Sequence, residues 1–323
     1  MYTLGIETSC DETSAAVVKS GREILSCETS SSMSLHKKFG GIVPEIASRM
    51  QLETISLVAD AAIKKAGIKL KDLRLAAVTD KPGLLGSLLV GISFAKAVAL
   101  SLKIPLYEVN HLHSHIYANF LDTKEPPVFP FIALIVSGGH TSLFYMENFD
   151  KIKLLGSTQD DACGEAFDKV AKILGLKYPG GPYIERLSEK GDPKKIKFGC
   201  SDTSSPLDFS FSGIKTAVLY YVRTQTKDQR LKTEDQNDIA ASFQKAVIEV
   251  LVKKSLLACS KYGVNCLVVG GGVAANNLLR KTLSKEAGAG RIKVYFPTKA
   301  LCMDNAAMVA GLAWRLSKKG GAS

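Results

Sequence analysis

The sequence predicts an α/β protein built from two similar halves. Three observations predict it. Apolar runs of strand length alternate with helical stretches along the whole chain. Hairpin patterns open around a polar turn at 8–13 and again around a glycine-bearing turn at 137–140. Between them, residues 123–130 hold three prolines and read as a linker. The expected halves are therefore 1–125 and 126–323. Paired halves of this kind are expected to place a cleft between them, faced by anion-binding turns from each.

In the first half, strands are expected at 3–7, 14–18 and 23–28, then a helix at 44–66 and a strand at 74–79. Pro82 and Gly83 lead into an apolar helix, a strand follows at 104–109, and a helix opens at the histidines and runs to 120. The second half repeats the opening, with strands at 131–136, 141–146 and 151–156. A long helix at 236–262 has apolar residues at helical spacing. A strand at 266–269, a helix at 274–287, a strand at 292–296 and a closing helix at 303–317 complete the pattern. The repeat is structural and leaves no repeated sequence.

Hydrophobic content of 46% and charged content of 23% in 323 residues are those of a soluble globular protein. The longest apolar run, 84–100, carries Ser87, Ser93 and Lys96 and is short for a membrane span, so it reads as a buried helix. The N-terminus shows no secretory pattern, and no membrane association is expected. Seven scattered cysteines without a Cys-x-x-Cys pair suit a reducing, cytoplasmic setting and argue against a disulfide frame or a Cys-rich zinc site. The net charge of +11 fits either a polyanion partner, nucleic acid being the usual one, or a basic soluble surface.

Three of the five histidines fall in the run Asn110-His111-Leu112-His113-Ser114-His115. On a helix His111 and His115 share a face and form a metal-chelating pair, while His113 points elsewhere. The alternative is a helix start that carries histidines by chance. A zinc-protease site would need glutamate where Leu112 stands. Three turns have anion-binding character. Ser137-Gly138-Gly139 offers bare N–H groups, and Gly270-Gly271-Gly272 lies between a strand and a helix. The hydroxyl- and acid-rich turn at 8–13 fits Mg²⁺–phosphate or a well-bonded hairpin. None is a Walker loop or dinucleotide fingerprint. The stripe Leu52, Ile55, Ala59, Ala62 and Ile63 fits either a docking face or the core.

Eight segments then bear on one family: 5–13, 38–45, 110–115, 136–141, 164–169, 178–182, 209–216 and the pair Asp304-Asn305. In order, and over nearly the whole chain, they resemble the TsaD family of tRNA threonylcarbamoyladenosine transferases, in the bacterial form Val136-Ser137-Gly138-Gly139-His140-Thr141. The resemblance implies an actin/Hsp70/sugar-kinase-like (ASKHA) fold, with the last helix returning to the histidines. It implies one divalent metal, iron with zinc as the alternative, on His111, His115 and Asp304. It implies transfer of the threonylcarbamoyl group from threonylcarbamoyl-AMP to N6 of adenosine 37 in tRNAs that read codons beginning with A, releasing AMP. Substrate contacts are implied at Ile135, Val136, Ser137, Gly138, Gly139, Asp168, Gly181, Glu185 and Asn276. Implied partners are tRNA, a smaller TsaB-type paralogue and a TsaE-type P-loop ATPase. Lys81, Gln51 and Glu185 depart from the family pattern. No general base can be named from the sequence. Competing readings are an ASKHA-type ATPase or phosphotransferase, and a non-catalytic partner subunit.

Overall fold

The computed structural model describes residues 1–225 and 232–318. The chain forms two compact units, one of Met1–Pro126 with Pro297–Ser323 and one of Pro127–Phe296.

The first unit begins with β1 (Tyr2–Glu7), β2 (Glu12–Lys19) and β3 (Glu23–Ser31), paired antiparallel. Short α1 (Met33–His36) is followed by α2 (Pro44–Lys65), which starts with its proline in the first turn, where no N–H is needed. Next come β4 (Leu73–Lys81), α3 (Leu85–Leu102), β5 (Leu106–Asn110) and α4 (His111–Tyr117). The helical crossovers make β1, β4 and β5 parallel, and the sheet order is β3-β2-β1-β4-β5. Leu4 and Ile6 alternate onto one sheet face and join Ile55, Ala59 and Ala62 of α2 and Ala95 of α3 in one core. The stripe on α2 thus belongs to the core, except that Leu52 stays exposed. Helix α3 is long and apolar enough to cross a membrane by length and composition. It packs on β4 and α2 through Leu88, Ala95 and Ala99, but it is only partly buried rather than the buried helix expected, since Leu85, Leu89 and Leu100 stay exposed.

The second unit repeats this order with β6 (Phe131–Val136), β7 (Thr141–Met146) and β8 (Ile152–Ser157). Helices α5 (Cys163–Ile173), α6 (Gly180–Ser188), α7 (Ser212–Gln225) and α8 (Thr233–Tyr262) precede β9 (Cys266–Gly270), α9 (Asn277–Ala289) and β10 (Lys293–Tyr295). Its sheet order, β10-β9-β6-β7-β8, again sets the first strand antiparallel to the second and parallel to the fourth. Central β6 is buried at every position, which explains its unbroken apolar run. The expected helix at 274–287 is instead a 3₁₀ turn, Gly272–Ala275, and then α9. Asn276 makes the break, because its extended backbone lets its side chain accept the Leu279 N–H as an N-cap.

The chain then returns to the first unit as α10 (Lys299–Cys302) and α11 (Ala306–Ser317). The expected closing helix at 303–317 begins only at Ala306, because Asn305 is extended and caps α11 by accepting the Met308 N–H. Asp304 therefore lies outside the helix. Helix α11 buries every residue from Ala306 to Ala313 and packs on β1, β2, β4 and α4. It covers the face opposite Leu4 and Ile6. A Cβ at Gly5 would lie 2.2 Å from the Ala306 carbonyl oxygen and 2.9 Å from Ala310 Cβ. Only glycine permits this approach of strand to helix. Gly5→Ala is expected to destabilise the protein by about 1–3 kcal/mol through overpacking. Urea unfolding checks it, and an unchanged midpoint would show that α11 can shift freely.

Candidate metal centre

The site is built where β5 gives way to α4. Asn110 caps that helix, its side chain accepting the N–H groups of Leu112 and His113. The cap sets the first turn, and one turn of helix then brings His111 and His115 to one side. Their ring centroids are 4.6 Å apart, with planes at 80°. His115 is fully buried and His111 nearly so.

The third group comes from the far end of the chain. Asn305 Nδ2 donates to the Met303 carbonyl at 2.8 Å, and the Ala306 N–H donates to Ser14 Oγ at 3.0 Å. The first bond shapes the Asp304 segment, and the second ties it to β2. Asp304 Oδ1 then lies 3.1 Å from His115 Nε2 and 3.6 Å from His111 Nε2. One ligand atom from each of the three residues falls within a 4.8 Å span. Metal–nitrogen bonds of about 2.0–2.1 Å fit a span of that size after small adjustments. Two imidazoles and one carboxylate also leave coordination positions for other oxygens.

Electrostatics favours a cation here. Burial works against a charged His111, yet Asp304 and Glu7 outweigh it and raise the imidazole to about 9. Glu12, partly buried in the adjoining turn, is pushed up to about 8 by burial and then by Asp304, Asp11 and Glu7. Negative charge is in excess around the three ligands, which is what a divalent ion would relieve. His113 stands apart from the group, and burial and Lys81 lower its imidazole against the pull of Asp80.

Glu7 was absent from the sequence-based candidates. Its carboxylate, 1% exposed, accepts from Thr79 Oγ1 at 2.6 Å and from the Ser9 N–H at 2.6 Å, and lies 3.1 Å from His111 Nδ1. An acidic residue closing an apolar strand was the signal that could have found it. Gln51 was also informative. Buried in α2, it donates through Nε2 to the carbonyls of Cys10 and Glu12 at 2.9 and 3.0 Å. It shapes the turn at 8–13 from inside, as hairpin structure requires.

The second unit holds the other candidate residues. Ile135 and Val136 end buried β6, and Ser137-Gly138-Gly139 forms the turn into β7. The Ser137 N–H is used within the turn, donating to His140 O at 2.8 Å. A Cβ at Gly138 or Gly139 would meet open space. The first turn of α5 lies alongside, since a Cβ at Gly164 would come within 2.8 Å of Gly138 Cα. Asp168, on α5, accepts the Gly180 N–H at 2.6 Å at the start of α6, and Gly181 faces open space. Burial raises the Asp168 carboxyl despite those backbone bonds. Glu185, on α6, accepts the Asn277 N–H at 2.7 Å, and Asn276 Nδ2 donates to Gln244 Oε1 at 2.8 Å. Asp168, Glu185 and Asn276 thus each carry a bond that orders the unit.

The TsaD family, tRNA N6-adenosine threonylcarbamoyltransferase, matches residues 23–311. The chain belongs to this family. A tRNA N6-adenosine threonylcarbamoyltransferase of Dictyoglomus turgidum is 50% identical over 320 residues, spanning 99% of this chain and 95% of that protein. One of Thermosipho africanus is 51% identical over 322 residues, spanning 99% and 96%. Among solved structures, T. kodakarensis HypF matches 99% of this chain and 48% of its own, with a TM-score of 0.65 and 15% identity. Component A of the (R)-2-hydroxyglutaryl-CoA dehydratase of Acidaminococcus fermentans matches 98% and 99%, with a TM-score of 0.57 and 19% identity. These last two show the fold alone, and it is the ASKHA fold. Like its TsaD relatives, the chain is a tRNA N6-adenosine threonylcarbamoyltransferase, with tRNA as substrate.

Replacing His111 and His115 together by Ala is expected to remove stoichiometric metal from the purified protein, measured by plasma emission. His113→Ala is expected to keep both metal and activity. Metal retained by the double variant, or lost in His113→Ala at unchanged thermal stability, would contradict the ligand set.

Proposed function

We propose that the protein transfers the threonylcarbamoyl group from threonylcarbamoyl-AMP to N6 of adenosine 37 in tRNAs reading codons that begin with A, releasing AMP. The reading is carried by family membership together with one geometric observation, the convergence of two histidine Nε2 atoms and Asp304 Oδ1 in the first unit. The donor is a mixed anhydride and already activated. Catalysis then requires orientation and charge stabilisation more than a strong nucleophile. His111, His115 and Asp304 would hold a divalent ion, Fe²⁺ in this reading with Zn²⁺ as the alternative. Bound there, such an ion supplies Lewis acidity and a template for oxygen ligands.

On the second unit, Ile135, Val136, Ser137, Gly138, Gly139, Asp168, Gly181, Glu185 and Asn276 are proposed to receive the adenylate. The amides of Gly138 and Gly139 have no partner among the described residues, and both residues leave space for a ligand. Asp168, which accepts from the backbone of Gly180 and Gly181, has lone pairs left to accept from a ribose or adenine donor. Gly139→Val is expected to weaken binding of a non-hydrolysable threonylcarbamoyl-adenylate analogue by about tenfold or more, a cost near 1.4 kcal/mol. Calorimetry checks it, and wild-type affinity would remove the 137–139 turn from the site.

A cytoplasmic complex with a TsaB-type paralogue and a TsaE-type ATPase completes the reading. Leu52 of α2 and Leu85 and Leu89 of α3 are 54–75% exposed. The two helices approach closely at Gly86, where a Cβ would lie 3.2 Å from Ser48 Cβ, and each carries exposed leucine surface near that point in the chain. The isolated protein is expected to turn over weakly, and the partners to restore repeated modification, read by mass analysis of tRNA nucleosides. Leu52→Asp with Leu89→Asp is expected to abolish that restoration while leaving the fold intact by circular dichroism. Efficient turnover by the protein alone, given tRNA and the adenylate, would place it with stand-alone members of the family.

A further inference from the structure

The parallel strands of the first unit end side by side. Register pairs Ile6 with Val78 on β1 and β4, and Thr79 with Val109 on β4 and β5. Their carboxyl ends therefore set Glu7, Thr79 and His111 in a row. Glu7 is 1% exposed, and burying a carboxylate is unfavourable unless it is well bonded. Its Oε1 accepts the Ser9 N–H, and its Oε2 accepts the Thr79 hydroxyl, both at 2.6 Å. Two neutral donors hold the carboxylate still. Neither explains why a charge stands there, since a threonine–glutamine pair could fill the same space. The remaining neighbour is His111 Nδ1, at 3.1 Å from Oε2.

We propose that Glu7 is a positioning residue for the metal centre, taking the Nδ1–H of His111 so that Nε2 is the atom offered to the ion. The proposal rests on the metal reading given above. An imidazole has two nitrogens and can present either to a metal. With Nδ1 donating to a fixed carboxylate, the lone pair lies on Nε2, and the ring plane is set by a partner that cannot itself turn. Ser9 Oγ, also 3.1 Å from Nδ1, shares that proton as a second acceptor. The carboxylate further makes the imidazole a stronger donor to a cation. His115 has no such partner, for its Nδ1 is buried and unbonded. The two histidines are thus unequal, and His111 is the ligand whose geometry is enforced.

Glutamine at this position cannot reproduce the arrangement. With its amide oxygen toward Thr79 and His111, its NH₂ faces the Ser9 N–H donor. Turned the other way, its NH₂ faces Nδ1 and selects the tautomer that carries the proton on Nε2. Apo-protein is titrated with Zn²⁺ against a chromophoric chelator, and ring nitrogens of the zinc-loaded protein are observed by ¹⁵N NMR. In the wild type the His111 ring is expected to bind through Nε2 and carry its proton on Nδ1. Glu7→Gln is expected to weaken zinc binding by about 10- to 100-fold. Glu7→Asp keeps the buried charge but, one methylene shorter, is expected to weaken it in the same direction. Thr79→Val removes one of the two donors that hold the carboxylate but leaves the charge beside Nδ1, and is expected to weaken zinc binding less than Glu7→Gln does. Zinc bound by the wild type through His111 Nδ1, or bound equally by wild type, Glu7→Gln and Glu7→Asp, overturns the proposal and leaves the metal site standing. Wild-type protein that takes up no zinc overturns the metal reading and this proposal with it.

Discussion

The site of the first unit depends on one packing event, the docking of α11 against the back of β1 and β2. The event is possible because Gly5 has no side chain to hold the helix away. It is fixed at its N-terminal end, where the Ala306 N–H bonds Ser14 Oγ and Asn305 caps the helix. That end is also where Asp304 leaves the helix and meets the two histidines. A carboxylate 189 residues along the chain from His115 thereby becomes its neighbour. Stability of the unit and assembly of the candidate metal ligands are consequently linked, because the same helix bears on both.

A second constraint is charge burial. Glu7 and Asp304 bring negative charge to a region of low exposure, and in the adjoining turn burial pushes the carboxyls of Asp11 and Glu12 up. Histidines oppose this charge, His111 beside Glu7 and Asp304 and His36 beside Asp11. His111 is drawn toward its protonated form by Asp304 and Glu7 against the effect of burial. A proton and a divalent ion answer the same excess of charge, so a metal taken up at this site would compete with protonation. The second unit handles charge differently. Asp161 is paired with Lys169 and Lys215, and Asp160 accepts from Ser210, Ser212 and two backbone amides, so these two acids are spent on structure.

The order of strands and helices was legible in the sequence because each element carries its own local signal. The hairpins at 2–19 and 131–146, the crossover helices and the continuous apolar run of β6 all follow from period and turn chemistry. The breaks before α9 and α11 were less legible. Asn276 and Asn305 each sit inside a helical pattern, and their capping role appears only once the backbone is seen to be extended there. The stripe on α2 was ambiguous for a related reason. Leu52 has the same spacing as the core residues Ile55 and Ala59, and only the position of the sheet tells that it faces out.

The sequence by itself determined the fold class and the family and singled out the His111–His115 pair as a candidate chelating pair, because these rest on local period and on ordered motifs. Asp304 was reached from the family motif Asp304-Asn305, without any physical route from the histidines to it. The tertiary structure decided the rest. It brought Asp304 to the pair through α11, placed Glu7 behind His111 through the register of three parallel strands, and left His113 outside. It also showed that Asp168, Glu185 and Asn276 hold backbone and side-chain partners of their own. Contacts between residues distant in the chain have no local period, so the sequence carries no direct trace of them. Their geometry exists only when strands pair and helices pack.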